Sequence, residues 1–69
     1  MRGEDILVRR KQRRVNQEDL AKELGVHPMV IGYAEDGRWQ PAEAEVKKAI
    51  EAIDRLADVA QSSREEVAA

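Results

Sequence analysis

A single glycine, Gly25, lies between two short stretches of helical periodicity and constrains the fold more than any other residue. On either side of it, apolar residues recur with the spacing of one helical face. They are Leu20, Ala21 and Leu24 before the glycine, and Val30, Ile31 and Ala34 after it. Because glycine readily adopts the left-handed conformation that ends a helix, the pattern predicts two short helices joined by a tight turn.

The residues at the ends of the two stretches favour the same interpretation. Asn16 can accept a hydrogen bond from the free N–H groups at the start of the first helix. His27 can do the same for the second helix, and Pro28 suits its first position because no N–H is needed there. With Gly37 ending the second helix, residues 17–37 are predicted to form a helix-turn-helix motif.

These residues resemble the signature of the Cro/repressor-type (lambda-repressor-like) helix-turn-helix family, over roughly residues 6–53. The positions that fit are Gln17, Leu20, Ala21, Leu24, Gly25, Val26, Ile31, Glu35, Gly37 and Pro41. Another small helical bundle with a glycine turn would leave this coincidence unexplained. The resemblance implies an all-α, four-helix domain over residues 1–61 with an extended C-terminal helix. The chain departs from the family at Arg9 and Arg14, where relatives usually carry leucine and glycine.

The resemblance also implies a function, that of a sequence-specific regulator of transcription that binds double-stranded DNA. Such a small Cro-like repressor of a bacterium or phage places the second motif helix in the major groove of its operator. The residues that would meet base edges or phosphates are Asn16, Gln17, His27, Pro28, Met29, Gly32, Tyr33 and Arg38. Gln17 corresponds to the family glutamine that binds a phosphate, and Asn16 lies beside it.

The predicted reading face has few hydrogen-bonding side chains. It carries no arginine, asparagine or glutamine, so the common bidentate contacts to guanine or adenine are not available from it. Met29 and the Pro28 ring could contact thymine methyl groups instead, and Tyr33 offers one hydroxyl. Gly32 either lets the backbone approach DNA or allows close contact with another helix. Trp39, after the motif, either packs against the core or lies on the DNA backbone.

A cluster of five cations in residues 9–14 ends the predicted first helix. It is either a solvated helix end that complements the helix dipole or a surface that contacts phosphate, through Arg13 and Arg14 in particular. The distribution of charge favours phosphate. Residues 1–40 carry eight Lys and Arg against seven Asp and Glu, whereas residues 41–69 carry four against seven. We therefore predict a basic front and an acidic back.

The last helix is predicted over about residues 41–61, with 62–69 as a flexible tail. Its apolar residues Val46, Ile50, Ile53, Ala57 and Ala60 have heptad spacing. This stripe could simply cover the core, and a monomer could pack Leu56 back onto Ile6 and Leu7. We favour a homodimer on an inverted repeat, because a domain this small has little core. Its interface would be Ile53, Leu56, Val59 and Ala60.

Composition excludes several other classes. There is no cysteine and only one histidine, so no cofactor or metal is expected, and no nucleophile–base pair indicates an enzyme. The absence of a membrane-spanning run or secretory signal predicts a cytoplasmic protein without a membrane partner, and no small-molecule ligand is expected. The remaining helices are predicted over about residues 5–14, 17–24 and 28–36, with 1–4 frayed. The alternative function is that of a protein-interaction module, antitoxin-like or regulatory, that uses the apolar second motif helix.

Overall fold

The computed structural model describes the backbone of residues 1–68 and the side chains of residues 1–60. All regular secondary structure in this part of the chain is helical, which confirms the all-α class. The helices are α1 (Gly3–Arg13), α2 (Gln17–Leu24), α3 (Pro28–Asp36) and α4 (Glu43–Ala68). Both α1 and α2 pack against α3 and against α4. In the described residues, no helix is long and apolar enough to cross a membrane.

The helix α1 begins at Gly3, so the prediction that residues 1–4 are frayed is wrong for Gly3 and Glu4. The backbone N–H of Arg2 donates to Asp5 Oδ2 over 2.8 Å, which anchors the first turn. Gly3 is buried against α3, where a Cβ atom would collide with the carbonyl oxygen of Ala34. This close approach of two backbones requires glycine at position 3, and the apolar periodicity of the sequence carries no sign of it.

The core is aliphatic, as the composition predicted. Leu20, Val46 and Ile53 are its largest fully buried side chains. The other buried apolar residues are Ile6, Val15, Ala21, Ile31, Ala34, Ala49 and Ala52. Neither aromatic residue belongs to this core, since both Tyr33 and Trp39 are more than a third exposed. Trp39 lies at the edge of a shallow apolar groove rather than in the interior.

The last helix is longer than predicted. It begins at Glu43, after a buried Pro41, and runs to Ala68 instead of ending near Gln61. Ser62 and Ser63 do not break it, because serine in a helix costs only a few tenths of a kcal/mol relative to its neighbours. The flexibility predicted for residues 62–69 concerns a segment whose side chains lie outside the described part.

Candidate nucleic-acid interface

The turn between α2 and α3 is built by the end residues that the sequence predicted. The Asn16 side chain accepts from the Asp19 N–H at 2.7 Å, and Gly25 ends α2 in the left-handed conformation at φ 70°. His27 Nδ1 accepts from the Met29 N–H at 3.1 Å at the start of α3. Since Nδ1 is the acceptor in this bond, Nε2 is the ring nitrogen that can donate, at the exposed beginning of this helix.

Helix α3 has an inner and an outer side. Ile31, Ala34 and Glu35 are buried on the inner side. On the outer side, Met29 is 53% exposed and Tyr33 39% exposed, one helical turn apart. This amphipathic arrangement leaves a solvent-facing surface on a helix that is anchored from behind.

The predicted reading residues lie together on this outer side. The Tyr33 hydroxyl donates to Met29 Sδ at 3.1 Å. The guanidinium carbon of Arg38 lies 5.7 Å from the centre of the Tyr33 ring, which is a cation–π distance. Pro28 is half-buried at the first position of the helix. We call the exposed surface of Pro28, Met29 and Tyr33 the α3 face.

Gly32 borders the α3 face and is not a site of helix–helix contact. A Cβ atom built at this position would meet only the side-chain nitrogen of Gln17, at the ordinary contact distance of 3.8 Å. The interpretation that this glycine allows two helices to pack closely is therefore wrong. Close packing of that kind occurs at Gly3 instead.

A buried ion pair holds α3 to α1. Glu35, whose side chain is 3% exposed, receives two hydrogen bonds from Arg10, at 2.8 and 3.0 Å. Arg10 also donates to the Val15 carbonyl at 3.1 Å. Arg10 belongs to the basic cluster of residues 9–14, and its pairing with Glu35 leaves it unavailable to contact phosphate. The residue that could have revealed this pair is Glu35, because an acid beside the buried apolar stripe of α3 requires a cationic partner.

Gln17 joins the same network. Its Nε2 donates to Glu35 Oε1 at 2.9 Å, the oxygen that also accepts one of the two bonds from Arg10. An amide nitrogen has two hydrogens, and this bond uses one of them, so one donor remains for a phosphate. The bond fixes the orientation of the Gln17 side chain relative to α3.

The basic cluster meets acids that the sequence appeared to place far away. Arg9 lies 3.1 Å from Asp54, and Arg13 lies 2.8 Å from Asp58. These acids belong to α4, which packs along α1, so the predicted separation into a basic front and an acidic back is wrong. Among the residues with described side chains, the exposed Arg14 makes no ion pair. Of the two predicted phosphate contacts, Arg14 is thus the one whose charge is not offset by a close acid.

The predicted dimer residues divide between core and surface. Ile53 is fully buried in the monomer, so its assignment to a dimer interface is wrong. Leu56 is half-buried and packs against the core, in agreement with the alternative of a leucine turned inward. Val59 is 65% exposed, and Ala60 is exposed beside it. Of the four predicted residues, Val59, Ala60 and the exposed part of Leu56 therefore remain for a partner.

A second apolar surface lies next to the α3 face. It is a shallow groove lined on its outer side by Val26, Val30 and Trp39 and closed at the back by Leu24 and Pro41. Val26 and Trp39 are among the largest exposed apolar residues of the described chain. Together with the α3 face, the groove makes the surroundings of α3 unusually apolar.

Comparison with known proteins identifies no relative of this chain. No protein-family model, curated protein or solved structure matches this chain.

Proposed function

We propose that this chain is a sequence-specific double-stranded DNA-binding regulator of transcription, a small Cro-like repressor of a bacterium or phage that acts in the cytoplasm. In this proposal the four helices form a lambda-repressor-like domain, and α2 with α3 is its helix-turn-helix motif. Helix α3 enters the major groove with the α3 face against base edges. Asn16, Gln17 and Arg14 contact phosphates on either side, and Arg38 reaches the backbone or a guanine.

The observation that carries the proposal is the combination of a braced inner side and an exposed outer side on α3. The inner side is held against the rest of the domain by Ile31, Ala34 and the Arg10–Glu35 pair. The outer side presents Met29 and Tyr33 to solvent. A short rigid helix with its starting end exposed is what major-groove recognition by such motifs needs.

A dimer would complete the site. Two copies related by a two-fold axis would bind an inverted repeat with their α3 helices about 34 Å apart, one turn of DNA. Val59 and Ala60 on the exposed side of α4 would form the contact. With so small an interface, dimerisation would depend on concentration and on the DNA itself.

The proposal is tested by selecting duplexes from a random pool and measuring the affinity of the selected DNA by fluorescence anisotropy as salt is raised. Binding should weaken steeply with salt, because each phosphate contact releases condensed counterions. Arg14→Ala should flatten the slope of log K against log salt by about one unit.

Lys47→Ala serves as the control, since it removes a cation from α4 and should leave the slope unchanged. Failure to select any duplex at low salt would refute DNA binding. An unchanged slope for Arg14→Ala would remove Arg14 from the contact.

A second candidate function, a protein-interaction module, is favoured by one observation. Four large apolar side chains are exposed around α3, whereas Arg9, Arg10 and Arg13 are already paired with acids. The four are Val26, Met29, Tyr33 and Trp39. An interface of this composition buries aromatic and methionine side chains, and its affinity changes little with salt. Binding that persists at high salt would therefore favour a protein partner over DNA.

A further inference from the structure

The hydrogen-bond donors of the α3 face are already used within the protein. The Tyr33 hydroxyl donates a hydrogen bond to Met29 Sδ, and His27 Nδ1 accepts one from the Met29 N–H. Pro28 has no N–H to offer. The most exposed group on the face is the Met29 side chain, at 53%. Apart from the Tyr33 hydroxyl oxygen, which can still accept, the surface offered to a ligand is a thioether, a proline ring and the edge of a tyrosine ring.

Only one group on the base edges of the major groove matches such a surface. Donors and acceptors cover most of the groove floor, and the exception is the C5 methyl group of thymine. Cytosine that is methylated at C5 presents the same group at the same place on the pyrimidine ring. Methionine suits contact with a methyl group because its side chain is flexible and polarisable.

Two neighbours of the α3 face are consistent with this contact. Gly32 has no side chain, so nothing at this position keeps the helix away from the base edges. Arg38 lies over one surface of the Tyr33 ring, which leaves less of that surface open to a ligand than its edge.

We infer, on the basis of the DNA binding proposed above, that the α3 face recognises its operator through the C5 methyl groups of pyrimidines. Thymine and 5-methylcytosine are then equivalent ligands for Met29 and Tyr33, and unmethylated cytosine and uracil are not. A consequence is that cytosine methylation within the site changes the affinity of this protein for DNA.

The experiment uses the full chain and synthetic versions of a duplex that has been selected from a random pool. In one version, uracil replaces each thymine of one half-site in turn, which removes the methyl group and keeps every hydrogen-bonding atom. Each methyl group in contact should then cost about fourfold in affinity, as expected for burial of one methyl-sized group. In another version, a contacted thymine is first replaced by cytosine, which weakens binding. Replacing that cytosine with 5-methylcytosine should then raise the affinity again by about the same factor.

Two protein variants assign the effect to the α3 face. Met29→Ala should bring the affinity ratio of thymine to uracil close to one at the contacted position. Val8→Ala removes a similarly exposed apolar side chain from α1, and it should keep the ratio of the unmodified protein. Uracil outside the protected footprint should have no effect with any of the proteins.

The possible failures are distinguishable. Equal affinity for thymine and uracil duplexes, in a protein that still prefers the selected sequence, would overturn methyl recognition and leave DNA binding intact. A uracil effect that persists in Met29→Ala would overturn the assignment to Met29. If no duplex is enriched at any salt concentration, DNA binding fails and methyl recognition fails with it.

Discussion

Arg14 adopts a backbone conformation that usually belongs to glycine. Its φ of 56° and ψ of 43° lie in the left-handed region, and its N–H bonds back to α1. Side chains other than glycine, asparagine and aspartate are strained there by about 1–2 kcal/mol. Glycine would adopt this conformation without strain, so the chain places at position 14 a residue that fits the local backbone poorly.

We predict that Arg14→Gly stabilises the protein by about 1 kcal/mol relative to Arg14→Ala. Both variants remove the same charge, and only glycine relieves the strain, so alanine is the matched control. The measurement is chemical denaturation followed by circular dichroism. Equal free energies of unfolding for the two variants would show that the strain is relieved in another way.

Glu35 is the residue whose replacement should damage the fold most. Its buried carboxylate accepts from Arg10 and Gln17, and its removal leaves the Arg10 charge buried without a partner. Loss of one member of a buried pair costs about 3–5 kcal/mol, which is a large part of the stability of a domain this size.

We therefore predict that Glu35→Ala is largely unfolded at room temperature. The double variant Arg10→Met with Glu35→Leu should retain much more stability, because it removes both charges and keeps the volume apolar. Thermal denaturation of the three proteins checks this. If Glu35→Ala melts within a few degrees of the parent, the pair is not important for the fold.

At the scale of the helices, two glycines have opposite roles. Gly3 allows the start of α1 to touch the backbone of α3 at Ala34, whereas Gly32 on α3 faces open space apart from Gln17. Glycine in a helix interior costs about 1 kcal/mol relative to alanine unless a close contact needs it. The contact exists at Gly3, and it does not exist at Gly32.

We predict opposite signs for the two alanine variants. Gly32→Ala should raise the free energy of unfolding by up to about 1 kcal/mol, and Gly3→Ala should lower it by about 1–3 kcal/mol through overpacking. The same denaturation assay measures both. Gly32→Ala should also weaken the binding of selected DNA, if the backbone approaches the base edges there, and a gain in stability without any loss of binding would exclude that approach.

At the scale of the whole molecule, the exposed side of α4 is the surface on which the proposed dimer depends. Ile53 is buried in the monomer core and Leu56 packs against it, whereas Val59 is largely exposed and contributes little to that core. A substitution there tests the dimer without disturbing the fold.

We predict that Val59→Asp lowers the dimer fraction and weakens binding to a full inverted repeat, while affinity for a half-site is unchanged. Val8→Asp, on α1, is a control with a similarly exposed valine. Sedimentation equilibrium gives the oligomeric state. A monomeric parent at concentrations of the order of tens of micromolar, both free and on DNA, would exclude the dimer.

The sequence by itself determined the local structure around the motif. The ends of α2 and α3 at Asn16, Gly25, His27 and Gly37 follow from side-chain and backbone chemistry that acts within a few residues. The all-α class and the aliphatic core follow in the same way from periodicity and from the scarcity of aromatic residues.

Only the tertiary structure decided which charges remain available and which apolar residues remain exposed. Arg10 and Arg13 look alike in a basic run, but they contact Glu35 and Asp58, which lie 25 and 45 residues further along the chain. Ile53 and Val59 belong to one apolar stripe, yet one is buried by the monomer and the other is exposed. The physical reason is that long-range contacts depend on how the helices pack, and spacing along the sequence does not specify that packing.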